Sequence, residues 1–202
     1  LLACACSEIA GTPGELGKLT FFDRTWEPGA EIVRLDQSLG RAVAVGARLD
    51  LGIEEVGDTA TVESVAVKPK GVLDLLSVSN PVALHAVKEG SASVLVTVES
   101  GTGDRISVNV ANPASARFTP YCRGQITVGY ELRVAQETLE KGLSLAEGAR
   151  LRLWAVLLDA HGRPLTGYGA VAWTPDDPEL VLFEPAAEQP DLVTIEASPG
   201  QE

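Results

Sequence analysis

The chain says one thing twice. Gly46-Ala47-Arg48-Leu49-Asp50-Leu51 returns 102 residues later as Gly148-Ala149-Arg150-Leu151-Arg152-Leu153. Val65-Ala66-Val67-Lys68-Pro69 returns after 106 residues as Val171-Ala172-Trp173-Thr174-Pro175, and Leu95-Val96-Thr97-Val98-Glu99 after 97 as Leu192-Val193-Thr194-Ile195-Glu196. Three matches in one order, with offsets that drift by a few residues, read as one structural unit written twice with changes of loop length. A period of about 100 residues divides the 202-residue chain into two domains of ordinary size. The expected organisation is a leading tether over residues 1–17, a first domain over 18–112, a connector over 113–125 and a second domain over 126–202.

Local pattern gives the class of those domains. From Arg41 to Ile53, residues Val43, Val45, Ala47, Leu49, Leu51 and Ile53 alternate with small or polar neighbours, the period of a strand with one face on a core. Further β segments are expected at 19–22, 62–67, 72–78, 82–87, 93–98 and 106–110, separated by Pro69-Lys70-Gly71, Ser79-Asn80-Pro81, Glu89-Gly90-Ser91 and Gly101-Thr102-Gly103-Asp104. The last two segments read as a hairpin: Val94, Val96 and Val98 alternate up to the glycine-rich turn, and Ile106, Val108 and Val110 alternate back. In the second half, strands are expected at 126–134, 151–158, 170–173, 180–183 and 192–197. Gln136 to Lys141 alone has helical propensity, over too short a span for an independent helix. Short strands at regular spacing with Gly and Pro between them predict an all-β chain of antiparallel sandwiches.

Charge excludes some partners. With 28 acidic and 16 basic residues the net charge is −12, and neither nucleic acid nor an anionic bilayer is an expected partner, since each calls for a basic footprint. No apolar run approaches the length of a membrane-spanning helix. Methionine is absent even at position 1, so the chain reads as a processed or truncated piece.

Leu1-Leu2-Ala3-Cys4 resembles a bacterial lipobox, the end of a signal peptide followed by the cysteine that receives diacylglycerol. The resemblance implies lipidation of Cys4 and an extracytoplasmic, membrane-anchored protein. Ala5 behind that cysteine points to the outer membrane or cell surface. It leaves Cys6 and Cys122 as a candidate disulfide in an oxidising compartment, with two unpaired thiols as the other reading. No metal is expected, because three cysteines and two distant histidines have no ligand spacing.

The second half resembles the bacterial immunoglobulin-like domains of invasins, intimins and surface lipoproteins. The likeness runs through Gly148, the apolar strand Leu151 to Leu158, the loop Asp159-Ala160-His161-Gly162-Arg163-Pro164, Val171-Ala172-Trp173 and Asp177-Pro178. It implies two tandem immunoglobulin-like sandwiches, with Trp173 filling the space between two sheets. The first copy has Val67 where this pattern places Trp. After Leu192 to Glu196 the second copy has no counterpart of the strand Ile106 to Val110, so the natural protein is expected to continue beyond Glu202.

Candidate catalytic groups all have plainer readings. His85 alternates within a strand, His161 sits in a turn, and neither neighbours a serine-nucleophile motif. Glu54, Glu55 and Asp58 lack the spacing of a calcium loop. Trp26, Tyr121, Tyr130 and Tyr168 are aromatics of the kind that line binding surfaces. The expected function is non-enzymatic and cofactor-free: a structural stalk or an adhesion module with an unknown protein or glycan ligand, touching the membrane through a lipid anchor only. The alternative is a set of accessory domains for a secreted enzyme whose catalytic module lies beyond residue 202.

Overall fold

In a computed structural model of the chain, residues 11–25, 39–120, 150–174, 181–186 and 189–197 are described. In chain order the strands are β1 (Thr12–Pro13), β2 (Thr20–Asp23), β3 (Val43–Ala44), β4 (Arg48–Glu55), β5 (Asp58–Thr59), β6 (Val62–Lys68) and β7 (Leu73–Ser77). They continue as β8 (Val82–Ala86), β9 (Gly90–Val98), β10 (Gly103–Ala111), β11 (Ser115–Pro120), β12 (Arg150–Leu158), β13 (Val181–Ala186) and β14 (Gln189–Ala197). No helix occurs among the described residues, and the fold is all-β as expected.

The first unit is a two-sheet sandwich. One sheet runs β1-β2-β4-β8-β7, with β5 hairpinned onto the end of β4; the other runs β3-β10-β9-β6. All pairings are antiparallel except β3 with β10. The alternating residues of the sequence form the filling: Phe21, Leu49, Leu51, Ile53, Val82 and Leu84 from one sheet meet Val94, Val96, Val98, Val108 and Val110 from the other in one buried cluster. The expected hairpin is present as β9 and β10, with Ile106 opposite Val94 and Gly101 at φ +82° in the turn.

Three sequence expectations are corrected. The strand read across 41–53 is two strands, because the chain leaves one sheet and enters the other at Gly46 (φ +85°), whose N–H donates to Ala86 O at 2.7 Å. The change of sheet puts Val43 and Ala44 both in the core, a pattern that strict alternation does not predict. The tether and the connector both contain strands: β1 pairs with β2, and β11 pairs with β12 from Ser115↔Leu158 to Pro120↔Leu153. The strand expected over 170–173 does not form: these residues join no ladder, and the pairings just before them are isolated bridges, Thr166 to Val43 and Tyr168 to Arg48. The segments 126–134 and 136–141 lie outside the described residues.

The second unit contributes one sheet, β11-β12-β14-β13, in the order of β2-β4-β8-β7. The match extends to register. Leu51 faces Val82, and Leu153, its partner in the repeat, faces Val193. Leu49 faces Leu84 as Leu151 faces Ile195. Ile53 faces Phe21 as Ala155 faces Phe118, and Leu75 faces Leu84 as Phe183 faces Ile195. The third sequence match therefore joins the wrong strands: β14 is the counterpart of β8, whereas Leu95 to Val98 belongs to β9 in the opposite sheet. Half-buried strands share the same Val/Thr alternation, so sequence likeness alone does not distinguish them. Counterparts of β9 and β10 are not among the described residues.

Candidate functional site: the seam between the units

Cys4, Cys6 and Cys122 lie outside the described residues, as do Trp26, Tyr121 and Tyr130. His85 is half-buried in β8 and His161 is exposed in the turn after β12, so the two histidines belong to different units. Glu54 and Glu55 point to opposite sides of their strand, as neighbouring strand residues do. Glu54 pairs with Arg24 at 3.1 Å, and Glu55 accepts from Ser100 Oγ at 2.9 Å. Among the described residues no group of three His, Cys, Asp or Glu is placed to hold a metal ion.

What the fold does bring together is the loop after β12 and the near end of the first unit. The loop is built on Asp159, which is 7% exposed. Its Oδ1 accepts the N–H groups of His161 (2.8 Å) and Arg163 (2.9 Å), and its Oδ2 accepts Arg163 Nε at 2.8 Å. The backbone closes the turn: Asp159 N donates to Arg163 O, and Gly162 N donates to Asp159 O with Gly162 at φ +74°. The bond from the Arg163 N–H outweighs the cost of burial. With the Arg163 guanidinium and the His161 N–H it holds the Asp159 carboxyl down at about 2.

Beyond Pro164 the chain runs into the first unit. Thr166 N donates to Ala42 O (2.9 Å), and Ala44 N donates to Thr166 O (3.0 Å). Arg48 and Tyr168 exchange both backbone bonds, at 2.8 and 3.0 Å. Side chains lock the same contact: Thr166 Oγ1 donates to Asp23 Oδ2 at 2.6 Å with both residues buried, and the Tyr168 hydroxyl donates to Asp50 Oδ2 at 3.1 Å. The Arg48 guanidinium lies 5.7 Å from the centre of the Tyr168 ring. Burial, then the adjacent Asp50 carboxylate, raises the Tyr168 phenol above its ordinary range, against the opposing effect of Arg48. Tyr168 thus serves the seam. Trp173 meets Phe118 of β11, with ring centroids 5.5 Å apart and planes tilted by 44°.

Beside the seam lies a cleft of about 450 Å³, lined by residues of both units that include Arg41, Glu89, Asn109, Asp159 and Arg163. Its walls carry charges of both signs.

Sequence reading missed a second anchor. Asp104, read as a turn residue, is 4% exposed and accepts four backbone N–H groups: Leu16 (2.8 Å), Lys18 (2.7 Å), Leu19 (3.0 Å) and Arg105 (2.8 Å). Burial alone would raise its carboxyl, but these donors together outweigh it and the net shift is downward. Gly14 fits against this carboxylate, since a Cβ there would sit 2.4 Å from it. Glu15 completes the strap by accepting Arg105 Nε at 2.6 Å. Only the glycines at 11, 14 and 17 hint at a strap in the sequence, and they equally suit a tether.

No protein-family model matches the chain, and no curated protein sequence does. Among solved structures, domains 5 and 6 of the S-layer protein SbsC align over 81% of this chain and 81% of that one, at 17% identity and a TM-score of 0.36. A larger piece of SbsC aligns over 80% of this chain at 15% identity and a TM-score of 0.40, and this chain spans 20% of its length. The chain spans 26% of the fragment holding SbsC domains 4–9. Likeness of this order carries no argument about what the chain does, which rests on the geometry of the strands and the seam.

Proposed function

We propose that this chain is a non-enzymatic region of an extracytoplasmic surface lipoprotein, in which immunoglobulin-like sandwiches set in series act as a stalk or as an adhesion module. The observation that carries the reading is the seam itself: two units with one sheet order and register, the second seating a loop in the end of the first. Units joined in this way hold a fixed spacing, which a spacer requires and a flexible linker does not supply. The first unit supports the family reading, because β2-β4-β8-β7 facing β6-β9-β10 follows the strand order of a constant-type immunoglobulin sandwich. The lipobox-like start supplies the attachment, with Cys4 as the lipidated residue. Metabolic labelling with a fatty-acid analogue in the native host, followed by mass spectrometry, tests it. The protein should carry a diacylglyceryl adduct on Cys4 that Cys4→Ser removes, and surface protease should reach it on intact cells. An unlipidated protein confined to the cytosol would overturn the reading.

A further inference from the structure

We infer that residues 164–170 are a plug that completes the first unit, so that its near end is a docking surface for this segment. The inference stands on the seam alone and does not depend on where the protein resides. The segment stitches both sheets of the first sandwich. Thr166 bridges in parallel to Val43 of β3, the edge of one sheet, and Tyr168 bridges to Arg48 at the start of β4 in the other. Without the segment, the N–H groups of Ala44 and Arg48 lose the acceptors they have here. Leu165, 7% exposed, is a member of the first unit's core cluster, with Leu157 and Ala170 packed against the same cluster.

The sequence of the plug fits this seat position by position. Leu165 supplies apolar volume, Thr166 a hydroxyl for Asp23, and Tyr168 a ring for Arg48 and a hydroxyl for Asp50. Gly167 is set by space and by backbone conformation together. It lies at φ +98°, and a Cβ there would come within 2.7 Å of the Ala47 Cβ and 3.1 Å of Arg48 O. A loop folded only for its own unit has no need of a glycine pressed against the other one.

The test is amide hydrogen exchange on the full chain. In the parent protein the Ala44 and Arg48 amides should be as protected as those within β4. Gly167→Ala, which unseats the plug, should speed their exchange by about tenfold or more while leaving β9 amides such as Val94 and Val96 slow. A second pair of variants removes the dependence on one substitution. Asp23→Asn and Thr166→Val should each lower the melting temperature, and the double variant should lower it by less than the two shifts added. The inference is overturned if Ala44 and Arg48 exchange at loop rates in the parent, if Gly167→Ala leaves them unchanged, or if the two shifts simply add.

Discussion

The two units each carry a sheet of the same strand order and part company after its second strand. From the end of β4 the chain turns at once through Val56 and Gly57 into β5 and goes on to β6 in the facing sheet. At the end of β12, in the same position, a turn anchored on Asp159 sends the chain outward, and residues 166–168 bond to the neighbouring unit. One strand order is thus compatible with two fates for the next segment. The choice is made by a few loop residues, and it converts a repeat into a joint. A sheet ladder is specified by hydrophobic alternation and tolerates this loop variation, because the register across β4-β8 and β12-β14 stays the same.

Substitutions can break this comparison at several depths. The largest effect is expected at Asp104→Ala, confined to the first unit, where four backbone donors lose one buried carboxylate. The stability loss should be about 3 kcal/mol, read from urea unfolding of the full chain. A loss below about 1 kcal/mol would mean that the strap over β10 is peripheral to the sandwich. Next, Leu165→Ala should cost about 2 kcal/mol, although the residue belongs by sequence to the second unit. The loss should register as faster exchange in the first unit's β3 and β4. A change limited to β12 would divide the units again.

Acid sharpens the contrast between the two loops. The Asp159 carboxyl sits at about 2 in the fold, below its ordinary unfolded value of about 3.8. A depressed carboxyl stabilises fully above the unfolded value and loses that contribution as pH falls toward the folded one. Thermal stability should therefore decline between about pH 4 and pH 2, with Asp104 contributing in the same direction. In Asp159→Asn the decline should be shallower, and an unchanged acid limb would remove this carboxylate from the account. The smallest effect is a gain. Val56 is β-branched, 96% exposed and held at φ +53°, where the second unit's turn uses Gly162 at φ +74°. Val56→Gly should raise stability by up to about 1 kcal/mol, visible as a small rise in the urea midpoint.

Much of the first unit was legible because alternation is a local signal. Val94, Val96 and Val98 alternating into a glycine turn and Ile106, Val108 and Val110 alternating out of it left little choice of partner strand, and the two runs pair with Ile106 opposite Val94. The repeat was legible for the same reason, through Gly46 to Leu51 and Gly148 to Leu153. It misassigned β14 because alternation does not say which sheet a strand joins. The break at Gly46 was hidden, since a chain that changes sheets keeps its apolar residues while losing their period. The seam was not legible at all. Thr166, Gly167 and Tyr168 are ordinary loop residues by type, and their meaning depends on Asp23, Ala47 and Asp50, more than a hundred positions away in the chain.

That separation has a consequence for the order of folding. Thr166 and Asp23 stand 143 positions apart, against 85 to 88 for the contacts of the strap to Asp104. Contacts across longer stretches of chain carry a larger loop-closure entropy and form later. A chain emerging amino end first can pair β9 with β10 and lay the strap while the second unit is still being made. Its sandwich stays open at one end until Leu165 arrives. Closing that end is the last event in the life of the nascent first unit, and the second unit performs it.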